Sequence, residues 1–262
     1  MRSSTLRFVL AYLRLNLSAA VEYRAAFLVQ AVGMMLNDLV FIIFWGLYFA
    51  RFPSVGGWGI QDVALLWAVA ATSIGLSAAL LGNCTRIATI VVQGQLDYYL
   101  GLPKDTLLHV LVSRSGMAGW GDVGFGLLAY VVFGRLDLPT ISLYAVLVVA
   151  SMLIFVAFGV LEGSLGFWIG SAEATAYQAQ QATINFSLYP GSVFNGWIRV
   201  LIFTLVPAGF ISHLPVELLR TFEPWRMAAV LGFTVLSVVL ALFVFRLGLR
   251  HYESGNLVIL RG

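Results

Sequence analysis

Long apolar runs separated by short polar interruptions make up most of this chain. The runs reach about 20 residues or more, enough for a helix to cross a bilayer, and lack the alternation of barrel strands. They predict six spans, at about 25–49, 61–83, 107–133, 141–170, 197–214 and 227–248. Ahead of them, at about 3–22, Leu6, Leu10, Leu13 and Leu17 share one helical face with Arg7 and Arg14 off it. That pattern predicts a helix lying in the headgroup plane. The segment at about 171–196 holds Glu173, Gln178, Gln180, Gln181 and Asn185, too polar for a lipid-facing span. It reads as a cytosolic extension of its neighbours or as an embedded polar helix. The fold class is therefore an all-α integral membrane protein, one transmembrane domain over residues 1–262 without an internal repeat.

Between the second and third spans, at about 84–106, the chain carries a short structured loop. Its centre reads GQLDYYLGLP from Gly94 to Pro103, polar at one end, aromatic in the middle and closed by a Gly-Leu-Pro stop before Lys104 and Asp105. A compact loop between two spans is a candidate docking surface for a partner in the water.

Composition narrows the class further. With 60% hydrophobic and 10% charged residues, one soluble core cannot bury the apolar surface. The single cysteine, Cys84, excludes an internal disulfide framework. Arg14 interrupts the N-terminal apolar run, and Glu22 and Arg24 follow, so a signal peptide is not expected. With the N-terminus inside, Arg51, Arg135, Arg220 and Arg226 fall outside and the other eleven of the fifteen Lys and Arg residues, Arg199 among them, fall inside. Both termini and the Gly94–Pro103 loop are then cytoplasmic.

Candidate chemistry is sparse. The chain has no GxxxxGK[ST] phosphate loop and no HExxH, and His109, His213 and His251 are widely separated. No cofactor, metal site, catalytic residue or nucleic-acid partner is expected on it. Three acids, Asp38, Asp122 and Glu162, fall inside expected spans, where a charge costs about 2.5–3.5 kcal/mol and should face protein or water. Each either lines a polar pathway or pairs with a neighbouring hydroxyl, amide or arginine. Asn37 beside Asp38 makes the first span the best candidate for a polar lining or a subunit contact. Glycines crowd the third span (Gly116, Gly119, Gly121, Gly124, Gly126) and the fourth (Gly159, Gly163, Gly166, Gly170), where they let backbones approach closely, within the chain or between subunits. Pro190 marks a break after Tyr189, Pro207 interrupts the fifth span, and Pro215 follows in a stretch that reads as a re-entrant or interfacial turn over His213–Trp225.

Three of these places together resemble the permease subunits of type-2 ATP-binding-cassette (ABC) exporters, in a bacterial six-span subfamily. They are the GQLDYYLGLP loop, matching Gly-x-Leu-Asp-x-x-Leu-x-x-Pro; the Tyr189-Pro190 break with the Arg199-containing span and the Val206-Pro207 and Leu214-Pro215 steps; and Tyr252-Glu253-Ser254-Gly255 after the last span. The resemblance implies a permease in the bacterial inner (cell) membrane that forms a dimer with a second permease chain, identical or related. It implies that each half docks a cytosolic ABC ATPase subunit, which binds the ATP and Mg, through the interfacial helix and the loop. Gly94, Leu96, Asp97, Tyr98, Tyr99, Leu100 and Pro103 would then form the coupling element, with both tyrosines as anchors in the ATPase or in the lipid headgroups, and Asp97 meeting a basic group on the ATPase.

The leading expectation is thus the transmembrane subunit of an ATP-driven exporter. Its few fixed charges favour an amphiphilic or hydrophobic cargo. Two other readings stay open, a proton-coupled secondary transporter using the intramembrane acids and a membrane-embedded enzyme.

Overall fold

The computed structural model describes residues 2–194, 196–204 and 206–252, and among these the chain is helical without a strand. Helix α1 (Arg2–Glu22) runs into α2 (Arg24–Arg51) through a break at Tyr23. A turn follows in which Gly56 and Gly57 take positive φ and Val55 bridges Trp58. Helix α3 (Ile60–Leu81) starts at Gly59, whose N–H donates to the Asp62 carboxylate at 2.9 Å. It forms the centre of the bundle, with its residues from Val63 to Ser73 buried.

The expected loop at 84–106 is compact and helical: α4 (Ile87–Val92), a turn at Gly94, then the five-residue α5 (Leu96–Leu100). Gly94 has a φ of 71°, the left-handed region that glycine enters without a Cβ penalty.

The stretch expected as one span at 107–133 is two helices, α6 (Thr106–Val112) and α7 (Gly119–Phe133). The break between them is held by the end of α3: Gly116 N donates to Ala78 O at 2.8 Å, Gly82 N to Arg114 O at 3.0 Å, and the Ser115 hydroxyl to Ala79 O. The backbone groups released by the break are thereby paired, as burial demands. Most of these glycines serve close approach within the chain, though a Cβ on Gly170 would meet nothing within 4 Å. A Cβ on Gly119 would lie 2.6 Å from Gly75 O, and one on Gly163 would lie 2.5 Å from the Ile87 Cβ.

Helix α8 (Leu138–Ser164) is capped by Asp137, which accepts from Thr140 N at 3.0 Å. Helix α9 (Ala172–Ser187) packs along α8 and α4. Its first turn meets the α4–α5 turn, where Gln93 Nε2 donates to Glu173 Oε1 at 3.3 Å. Beyond its last turn, Tyr189 O hydrogen-bonds the His213 ring at 2.9 Å, and the Tyr189 ring stands 6.1 Å from Trp45 near the far end of α2. Its 16 residues, about 24 Å of helix, therefore run from the α5 end of the bundle toward the opposite end.

The stretch 197–214, expected as the fifth span, is not one helix. Helix α10 (Trp197–Thr204) ends after eight residues, a bend carries Pro207, and a π-helical turn (Gly209–His213) leads into α11 (Leu214–Arg220). Proline cannot donate and its ring crowds the preceding turn, so the helix stops before it. Phe203 of α10 packs on Phe210 and His213, and His213 faces Trp58 of the α2–α3 turn. This places α10 at the end opposite α5, not beside it as the charge count expected for Arg199. Pro190 and Pro215 are buried at the same end. Helix α12 (Pro224–Leu249) closes the bundle against α8.

By length and composition, α2, α3, α8 and α12 suffice to cross a membrane, and α7 is a shorter apolar helix. These share two main clusters of buried side chains, one around Trp45, Leu66, Trp67 and Tyr144, the other around Ile87, Leu96, Phe155 and Phe245.

Candidate functional site

At one end of the bundle α5 is locked down on one face and bare on the other. Leu96 is 1% exposed and anchors it in the second cluster. Tyr99 points inward: its hydroxyl lies 3.0 Å from Ser113 Oγ, and its ring is edge-on to His109 at 5.7 Å. Ser113 in turn accepts from Asn83 Nδ2 at 2.9 Å, and the same amide donates to Val110 O. Tyr98 points the other way and is 68% exposed, with Leu100, Gly101 and Pro103 also bare. The two tyrosines that the sequence treats alike thus have different environments, because neighbouring residues on so short a helix project about 100° apart.

Helix α1 is tied into this end. The buried ring of His109 is surrounded edge-on by Phe8 at 4.9 Å, Tyr12 at 5.1 Å and Tyr99. The Tyr12 hydroxyl hydrogen-bonds His109 Nε2, and Asn16 Nδ2 donates to Val112 O at 3.2 Å. Burial, followed by the neighbouring Tyr98 and Tyr99 phenols, pushes the Tyr12 phenol above its ordinary range. Leu10 and Leu17 of the leucine stripe stay exposed, so the face that packs on protein is a different one, through Phe8, Tyr12 and Asn16.

Asp97 sits beside Tyr252, after the end of α12. Burial first, and then the Asp97 carboxylate, push the Tyr252 phenol up to about 12. Asp97 thus meets a group of its own chain. Arg246 of α12 also reaches Asp105 at 3.9 Å, a long and largely exposed pair that contributes little. Of the C-terminal motif, Glu253, Ser254 and Gly255 lie outside the described residues.

The intramembrane acids form two separate groups. Asp38 and Asp122 face each other between α2 and α7, both buried. Asn37 is exposed and leans on Asp38 at a marginal 3.5 Å. Glu162 lies elsewhere, beside Thr183 of α9. Asp38 Oδ2 and Glu162 Oε2 have no hydrogen-bond partner among the described residues. Sequence spacing did not join Asp38 to Asp122; the α2–α7 packing does. It also missed Tyr12, Asn83, His109 and Ser113. The only local signal for them was a histidine followed by a serine just after the loop, too common to single out.

Residues 35–255 match the model of a family described as ABC-2 family transporter protein. Comparison with curated proteins and with solved structures found no match.

Proposed function

Because the chain belongs to the ABC-2 family of transporter proteins, we propose that it is the membrane subunit of an ATP-driven exporter, worked by a separate cytosolic ATPase. The carrying observation is the arrangement of α5: Leu96 and Tyr99 fasten it to the bundle while Tyr98 stands exposed. A push on a loosely held loop would dissipate in the loop. A push on Tyr98 passes through Tyr99 and Ser113 to the α3–α7 pair, and through His109 to α1. An exposed aromatic such as Tyr98 on a fixed helix also suits the anchor role at an interface.

On this reading ATP and Mg bind the partner, this chain has no catalytic role, and both termini and α5 face the cytosol of a bacterial cell. Helices α2, α3, α6–α7, α8, α9 and α12 make six crossings. The fifth is then the polar α9, sheltered by α8 and α4, and the segment from Pro190 to Arg220 forms the outer re-entrant turn. Exposed apolar residues along α2, such as Val29, Val40 and Leu47, support contact with lipid or with a second permease chain. Replacing Asp97, Tyr98 and Tyr99 together with alanine is expected to abolish ATP-driven efflux while the helices stay folded. Normal efflux by a well-expressed triple variant would sink the assignment.

The facing carboxyls of Asp38 and Asp122 favour a second reading, proton-driven transport. It predicts transport that persists without the ATPase and collapses with the proton gradient.

A further inference from the structure

At the end of the bundle opposite α5, a cavity of 610 Å³ opens between the start of α3, the α7–α8 connection and α11. Its size is that of small-ligand sites. The charged residues lining it are Arg135, Arg220 and Asp62. Asp62 holds Arg220 through Nε at 3.1 Å, and this aspartate is itself fixed by the Gly59 N–H. Arg135 is set on a stiff connection: the Tyr130 hydroxyl donates to Arg135 O at 3.0 Å, and Asp137 just beyond is pinned by Thr140. A Cβ on Gly134 would lie 2.6 Å from Tyr130 O, so the chain there is drawn tight against α7. The lining itself sets two guanidiniums against one carboxylate, with Asp137 just outside it beside Arg135. Arg220 is held by Asp62 through Nε, so its terminal nitrogens and the Arg135 guanidinium are the flat donors that suit an oxyanion.

A second cavity of 420 Å³ lies between α2 and α7, and every residue lining it is apolar, from Val32, Leu36 and Leu39 on α2 to Leu128 and Val132 on α7. The two cavities share Phe133, whose carbonyl accepts from Gln61 Nε2 at 3.0 Å and so fixes the junction. A charged compartment at the end of the bundle and an apolar one along the helices therefore meet at Phe133. Neither half alone implies much. Joined at one residue, they match a molecule with an anionic head and an alkyl tail, the head paired with arginine and the tail removed from water.

We infer that the Arg135–Arg220 cavity and the α2–α7 groove together bind one anionic, alkyl-chain amphiphile, head against the arginines and tail past Phe133. This deepens the exporter reading, on which it rests for calling such a molecule cargo. The same chemistry is offered by an anionic bilayer lipid and by a free amphiphile.

The test is binding of dodecyl phosphate to the purified full-length chain in a neutral detergent, read by calorimetry. The expected result is saturable binding that neither inorganic phosphate nor dodecyltrimethylammonium displaces. Arg135→Gln should weaken it about tenfold and Arg135→Lys much less, since a charge-assisted contact is lost in one and kept in the other. Val132→Trp, which fills the groove from an exposed position, should weaken it too, with thermal unfolding of each variant unchanged. Wild-type affinity in both Arg135→Gln and Val132→Trp, or equal competition by the cationic amphiphile, overturns the inference. Mass spectrometry of lipid retained through purification separates the sources. Phosphatidylglycerol held by the wild type and lost in Arg135→Gln identifies a bilayer lipid; an empty site that dodecyl phosphate fills identifies a free amphiphile. No ATPase takes part, so failed binding counts against this site alone, and failed ATP-driven efflux with binding intact counts against the exporter reading alone.

Discussion

The Tyr12 hydroxyl hydrogen-bonds the ring of His109 across 97 residues of sequence. That bond joins the N-terminal helix to the short helix that follows α5, and Tyr99 packs on the same ring. Any force applied at α5 is therefore shared with α1. Tyr12→Phe removes one partner and leaves a buried imidazole nitrogen unpaired, at a cost of about 1–2 kcal/mol. Hydrogen exchange should rise in α1 and α5 and stay unchanged in α11. Protection retained in α1 would show that its other contacts suffice.

The two tyrosines of α5 should separate in experiment. Tyr98→Ala touches an exposed side chain and is expected to shift stability by less than about 0.5 kcal/mol while abolishing ATPase-coupled transport. Tyr99→Phe loses the contact with Ser113 and should cost about 1 kcal/mol, with transport reduced but not abolished. Thermal unfolding and transport by reconstituted complexes check both. Equal effects of the two variants would contradict the division of roles.

Glycines in the bundle should differ sharply in tolerance. Gly119→Val drives a branched side chain into Gly75 O, and overpacking at such a site costs about 1–3 kcal/mol or more, so folded yield should fall steeply. At Gly46 and Gly232 an added Cβ would meet nothing within 4 Å, and Gly→Ala there should be neutral or mildly stabilising. Yield of monodisperse protein after detergent extraction is the measurement.

Asp137 carries a pH signature. Hydrogen bonds from the Thr140 side chain and backbone hold its carboxyl below the ordinary carboxylate range. A depressed folded-state value contributes stability above the unfolded value and loses it as pH falls through the folded one. The gap in melting temperature between wild type and Asp137→Ala should be widest near neutral pH and close as acid protonates the carboxyl. A gap that does not change with pH would mean that the cap acts through shape and not charge.

How far the sequence reached differs from element to element. The runs now seen as α2, α3, α8 and α12 were legible because an unbroken apolar stretch of that length has few alternatives to a membrane helix. The loop at Gly94–Pro103 was legible through its own glycine, proline and aromatic punctuation. The break between α6 and α7 was not, because an apolar, glycine-rich stretch reads as continuous while the groups that satisfy the break belong to α3. Polar α9 was ambiguous for a related reason: its polar residues suit water or protein equally, and in the structure Gln180 is buried against its neighbours while Gln178 and Asn185 stay exposed.

By itself the sequence determined the class of the molecule, its long apolar helices, its family resemblance and a punctuated loop between two of those helices. Each follows from composition or from residues adjacent in the chain. The tertiary structure alone decided that Tyr99 faces in and Tyr98 out, that Asp38 meets Asp122, that Asp97 meets Tyr252, and that Arg135 and Arg220 share one cavity. Those pairings depend on how helices far apart in sequence pack side by side, and hydrophobic periodicity carries no record of which helix becomes whose neighbour.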